Sequence, residues 1–191
     1  MNRLLRLAHV VERSWIYGPG CRYVVWLQGC SIRCPGCWNQ DLWPRDGGRD
    51  VAVRDLLEWI VAVPDIEGVT ILGGEPLDQA DALVDFVEQL QQRNLSVFLY
   101  TGFELTELAG NARSCFEKSD IVVTGRYLAA LRDESLAWRG SANQTVHFPT
   151  PKYRDVEMGQ GQPVEIQFDV EGALTVLGYP DEELLRFIAE L

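Results

Sequence analysis

Between Arg22 and Gly125 the sequence alternates short apolar runs with stretches of helical period, and this alternation restricts the fold more than any other feature. "RYVVWLQG" (Arg22–Gly29) is β-branched and aromatic and reads as a buried strand. Val53, Leu56, Leu57, Ile60 and Val61 recur at i, i+3, i+4, i+7 and i+8, which predicts an amphipathic helix. "VTIL" (Val69–Leu72) is a second strand, Ala80, Leu83, Val84, Val87 and Leu90 mark a second helix, and "SVFLY" (Ser96–Tyr100) is a third strand. A weaker helix over Thr106–Phe116 leads into a fourth strand, "DIVVTG" (Asp120–Gly125). Strand and helix repeating at this period predict βαβ units, hence an α/β fold with a parallel sheet and right-handed crossovers.

Such sheets bind ligands beyond the carboxyl ends of their strands. Every unusual motif falls there: a cysteine cluster after the first strand, "GGEP" after the second, "TGF" after the third and "TGR" after the fourth. Four loops meeting at one edge predict a single site. After Pro149 the character changes. "TPKYRDVEMGQGQP" is a polar linker, and "VEIQFDVEGALTVLG" alternates on both sides of Glu171-Gly172 as a β-hairpin does. Asp181, followed by Glu182 and Glu183, caps a last helix carrying Leu184, Leu185, Ile188 and Leu191. The expected organisation is a core over residues 1–149 with an extension over 150–191 on the same domain.

The net charge of −11 opposes a nucleic-acid backbone as partner, because phosphate binding needs a basic face. No apolar run is long enough to span a bilayer, and "MNRLLRLAHVVERSW" is too interrupted by charge for a secretory signal. The expectation is a soluble cytoplasmic protein, where clustered cysteines serve metals or catalysis rather than disulfides.

Cys30, Cys34 and Cys37 are spaced C-x3-C-x2-C. Thiolates this close can wrap one corner of an iron–sulfur cluster, each on its own iron, leaving one iron of a cubane open. The competing reading is a zinc site that borrows Cys21. If Arg22–Gln28 is extended, those residues span roughly 23 Å at about 3.3 Å each, placing Cys21 at the far end of the strand. Neither His9 nor His147 has finger spacing. Cys21 and Cys115 read as buried small hydrophobes, and Trp15, Trp26 and Trp43 as core.

The three cysteines after the first strand, with "GGEP" after the second, resemble the radical S-adenosylmethionine superfamily. Within it, the chain is similar to the anaerobic ribonucleotide reductase activating proteins in "GPGCR", "GC…CPGCWN", "LGGEPL", "YTGFELTEL" and "SLAWRGSANQTVH", in that order over roughly residues 14–148. The resemblance implies a partial parallel (β/α) barrel of radical-SAM type with a small hairpin-plus-helix extension. It implies a [4Fe-4S] cluster on Cys30, Cys34 and Cys37, with S-adenosyl-L-methionine chelating the fourth iron. Reductive cleavage would give a 5′-deoxyadenosyl radical that abstracts hydrogen from a glycine of a partner anaerobic ribonucleotide reductase, with flavodoxin or ferredoxin as electron donor.

Carried onto this chain, the resemblance puts Gly36 and Trp38 beside the cofactor, and Gly73, Gly74, Glu75 and Pro76 at its methionyl amino group. Thr101 and Arg126 are candidates for the ribose and carboxylate ends, since arginine's fork suits a carboxylate. Gly73-Gly74 also reads as a plain turn, and Arg139 and Asn143 as structural or partner-facing. Trp38 stands where the activating proteins often carry Tyr, and Thr124 where they often carry a carboxylate. The segment beyond residue 150 lies past their usual end, so a peptide or small-molecule substrate is the alternative within the same chemistry. A zinc or iron–sulfur binding module without activity is the alternative outside it.

Overall fold

In the computed structural model, which describes residues 3–169 and 171–189, the chain opens with β1 (Leu4–Ser14), β2 (Arg22–Leu27), β3 (Arg49–Ala52) and α1 (Val53–Val61). Then come β4 (Gly68–Gly73), α2 (Ala80–Gln92), β5 (Ser96–Tyr100), α3 (Gly110–Lys118), β6 (Ile121–Thr124) and β7 (Thr145–His147). A hairpin of β8 (Glu165–Phe168) and β9 (Leu174–Leu177) precedes α4 (Glu182–Ala189).

β2, β4, β5 and β6 lie side by side and parallel, in the order expected from the βαβ pattern. The sheet does not close. Its order is β3-β1-β2-β4-β5-β6-β7, with β1, β3 and β7 added antiparallel at the two sides. The result is the expected α/β partial barrel with three flanking strands that the sequence reading did not draw. β2 is buried along its whole length, as a parallel strand covered on both faces must be.

The two faces are covered differently. Val25, Leu27, Ile71, Leu99 and Val122 pack against Leu56, Ile60, Leu83, Phe86, Val87 and Cys115 of α1, α2 and α3. On the opposite face, Val24 and Trp26 pack with Leu177 of the hairpin, and Phe98, Ile121 and Val123 with Tyr153. All three crossover helices thus share one side, and loops and the extension cover the concave side. At the amino end of the sheet, Arg22 of "GPGCR" is fully buried. It donates to Thr70 Oγ1 (2.6 Å), Ser96 Oγ (3.0 Å) and the Val69 carbonyl (2.9 Å), locking three strands together. It stands at the end away from the cysteines.

Several expectations change in detail. The Thr106–Phe116 helix is a 3-10 turn at Leu105–Glu107 and then α3, because Leu108 and Ala109 are extended between them. Val61 is exposed, and Phe86 takes a core place on α2 instead. Trp15, expected in the core, is 60% exposed. A register shift between Val11 and Ser14 breaks the alternation of β1 just before it. Cys115 is buried as expected, whereas Cys21 is only half-buried. The hairpin forms where expected: Asp169 Oδ1 accepts from Glu171 N (2.9 Å) and Ala173 N (2.8 Å) across the turn. Asp181 caps α4 by accepting from Leu184 N at 2.8 Å. Val170 and Leu191 lie outside the described residues.

Candidate functional site

The cysteine loop starts where β2 ends, and backbone bonds hold it to its neighbours. Gly29 N donates to the Leu42 carbonyl (2.8 Å), and Cys30 N to that of Trp43 (3.2 Å). The β4 end meets it directly: Gly74 N donates to the Leu27 carbonyl and Glu75 N to that of Gly29, both at 2.8 Å. These bonds leave no room for side chains. A Cβ on Gly73 would stand 2.4 Å from Leu27 N, and one on Gly74 2.1 Å from the Gly29 carbonyl oxygen. The glycine pair therefore joins the second loop to the cysteine loop by close backbone approach.

Glu75 ties in the third loop. Its side chain is 1% exposed. Oε1 accepts from Leu77 N (2.9 Å) and the Thr101 hydroxyl (2.8 Å), and Oε2 from Gly102 N (2.8 Å). Burial nevertheless pushes its carboxyl up to about 7, against the pull of those three donors. Thr101, after β5, is in this way a neighbour and orienter of Glu75.

Cys30, Cys34, Gly36, Cys37, Trp38, Gly73, Gly74, Glu75, Pro76 and Thr101 all line one cavity of about 210 Å³ at the carboxyl edge of the parallel strands. Arg126 is not among its lining residues. Its guanidinium forms an ion pair with Glu107, with Nη2 2.8 Å from Oε1, and lies over the Phe103 ring. The segment before β7 contributes arginines instead, Arg132 and Arg139. Trp138 holds a positive φ of 60°, uncommon for a bulky residue, with its ring edge-on to Phe98 at 5.4 Å. Next to it, Arg139 Nη1 donates to the Gln144 carbonyl (3.2 Å), while Arg139 Nε is buried without a partner. Asn143 Nδ2 donates to the Arg126 carbonyl at 2.8 Å and holds the β6 loop. Trp43, expected in the core, lines the cavity with its Nε1 buried and unpartnered. Of the three tryptophans only Trp26 is buried in the core.

The sequence reading left Arg139 as structural or partner-facing, and it missed four tyrosines that line the cavity, Tyr17, Tyr100, Tyr127 and Tyr179. Only the "WRG" block signalled Arg139, and nothing local distinguished it from Arg126.

The lining fits a cluster with an attached cofactor better than a single ion. Burial raises the Cys30 and Cys34 thiols above their ordinary values, so ligation must draw off their protons. Among the described residues, no three Cys, His, Asp or Glu side chains converge where one ion could sit. Three thiols lining one cavity suit separate irons of one cluster. Arg139 and Trp43, both lining residues, each keep one buried donor without a partner.

Residues 16–147 match the family described as "4Fe-4S single cluster domain". The chain is 32% identical over 143 residues to the anaerobic ribonucleoside-triphosphate reductase-activating protein of Haemophilus influenzae, covering 69% of this chain and 90% of that one. It is 29% identical over 143 residues to the protein of that name from Escherichia coli K12, covering 69% and 91%. Among solved structures, QueE from Escherichia coli aligns with a TM-score of 0.46 and 16% identity, over 61% of this chain and 69% of that chain.

Proposed function

We propose, from the premise that this chain belongs to the 4Fe-4S single cluster domain family and to the anaerobic ribonucleoside-triphosphate reductase-activating proteins, that it is a radical S-adenosylmethionine enzyme that installs a glycyl radical on an anaerobic ribonucleotide reductase. The observation that carries this reading is the meeting of Cys30, Cys34 and Cys37 with Gly73–Pro76 and Thr101 around one cavity. The three cysteines would hold a [4Fe-4S] cluster as thiolates. When bound, the cluster and S-adenosylmethionine would supply one-electron chemistry that removes a hydrogen atom from the substrate.

The chain's own residues orient and shelter. Glu75, buried and near neutrality on its own, regains its charge beside an ammonium, and the Thr101 hydroxyl fixes which way its carboxylate points. Arg139, which lines the cavity, is better placed for a carboxylate than Arg126, which is paired with Glu107 and does not line it. The aromatic lining excludes water from the reacting atoms. The electron comes from a flavodoxin or ferredoxin, and the reaction takes place in the cytoplasm. Among the described residues no helix is long and apolar enough to cross a membrane.

The test is anaerobic. Reconstituted protein, reductant, S-adenosylmethionine and the reductase should together give a glycyl EPR doublet with methionine and 5′-deoxyadenosine. Cys34→Ala should hold no cluster, whereas Cys115→Ala, changed inside the helix-side core, should keep its iron. Cofactor cleavage with no doublet would transfer the chemistry to a peptide or small molecule. A colourless protein with one zinc per chain would end the enzyme reading.

A further inference from the structure

Cys30 is held at both of its peptide groups. On one side its N–H donates to the Trp43 carbonyl at 3.2 Å. On the other, the peptide joining it to Ser31 ends on a carboxylate. Ser31 N donates to Asp78 Oδ2 at 2.8 Å, and Ser31 Oγ donates to Asp78 Oδ1 at 2.6 Å. Ser31 thus spends both of its donors on the two oxygens of one side chain. Within the loop, Arg33 N donates to Cys30 Sγ at 3.4 Å.

Asp78 stands two residues after "GGEP", in a 3-10 turn over Pro76–Gln79 that is itself anchored on both sides. Glu75 accepts from Leu77 N at the start of the turn, and Leu77 is buried. At its end, Gln79 Oε1 accepts from Arg6 N (2.7 Å), while Nε2 donates to the carbonyls of Arg6 (3.2 Å) and Gln28 (3.1 Å). The turn is therefore a fixed post. The cysteine loop is the part that needs holding: the stretch 31–39 contains no helix or strand, and Ser31, Arg33, Pro35 and Gly36 face solvent. Segments of this kind open locally at small cost. Arg45 also reaches Asp78, with Nη2 3.3 Å from Oδ2, but its side chain is 71% exposed against 14% for Asp78. Solvent weakens that ion pair, so the two charge-assisted bonds to Ser31 are the stronger link.

We propose that Asp78 is a positioning residue for the cluster site: by holding Ser31 from the anchored turn after "GGEP", it fixes the Cys30–Ser31 peptide, and with it the direction of the first cysteine ligand, before any cluster is bound. The proposal rests on the cluster reading above and adds to it a residue that acts through Ser31.

The experiment compares wild type, Asp78→Ala, Asp78→Asn, Ser31→Ala and the double variant as full-length chains. Asparagine can keep both bonds, its carbonyl oxygen accepting from Ser31 N and its amide donating to Ser31 Oγ, so it separates the hold from the charge. Cluster-free protein, kept reduced, is exposed to trypsin, and cleavage after Arg33 is compared with cleavage after Arg93, an exposed residue at the end of α2. Cleavage after Arg33 should accelerate about tenfold in D78A, the effect of losing a hydrogen bond to a charged group, and about threefold in S31A, which keeps the bond from Ser31 N. D78N should stay near the wild-type rate. The double variant should be cut no faster than D78A, because both changes sever the same link. After reconstitution with iron and sulfide, D78A should lose iron to a chelator faster than wild type, and D78N should not.

The proposal is overturned if D78A is cut after Arg33 at the wild-type rate, if D78N opens the loop as far as D78A, or if the two single effects multiply in the double variant. Should D78A be cut equally faster after Arg93, it has unfolded globally, and S31A against D78N then decides: acceleration confined to Arg33 in S31A alone supports the hold, and none in S31A overturns it. If wild type assembles no [4Fe-4S] cluster, the proposed function fails, while the cleavage rates still decide whether Asp78 holds the loop.

Discussion

Glu75 sits in the middle of "GGEP" with three donors on its carboxylate and almost no solvent contact. Its pKa of about 7, against 4.5 as the ordinary value, ties stability to pH. The folded chain holds this proton more tightly than the unfolded one. The contribution is therefore complete below about pH 4.5 and is lost as pH rises towards 7. The shift corresponds to roughly 3 kcal/mol. Urea unfolding of the cluster-free chain at pH 5 and pH 8 should show that loss in wild type. Glu75→Gln should unfold with a flatter pH dependence, and an unchanged slope would mean that Glu75 is ionised throughout. At the same scale, the two arginine candidates differ in place and in neighbours: Arg126 is engaged by Glu107 away from the cavity, while Arg139 lines it.

At the scale of elements, the site depends on the carboxyl ends of β2 and β4 being joined. Register across these strands pairs Leu27 with Gly73, and the next two backbone N–H groups continue the bonding into the cysteine loop. A side chain on Gly74 would meet backbone, which cannot step aside, whereas one on Gly102 would meet the mobile end of Ile32 at 2.8 Å. Gly74→Ala should therefore cost about 3 kcal/mol or more and loosen cluster retention, while Gly102→Ala should cost under about 1 kcal/mol. Denaturation midpoints and iron retention check both. Equal effects would show that the Gly74 contact relaxes as readily as a side-chain tip.

The whole molecule is a half-barrel with helices on one side and an added hairpin closing part of the other. The hairpin is held by Leu177 and a few polar contacts, so it should open locally before the sheet does. Leu177→Ala should remove about 2–5 kcal/mol of that docking. Amide exchange should then accelerate over Glu165–Phe168 and Leu174–Leu177 and stay unchanged in β4 and β5. Acceleration in all four strands would mean that hairpin and core unfold as one unit. The sequence by itself determined the four parallel strands, the hairpin and the placing of the four loops after those strands at one sheet edge. Periodicity and spacing are local properties, and the crossover rule converts them into topology. Only the tertiary structure decided the antiparallel places of β1, β3 and β7, the exposure of Trp15 after a register shift, and the exchange of Arg126 for Arg139 at the cavity. It alone brought Tyr179 to Trp38. Contacts such as Ser14 with Glu165, 151 residues apart, leave no local period, because they arise from how finished elements pack rather than from how each one forms.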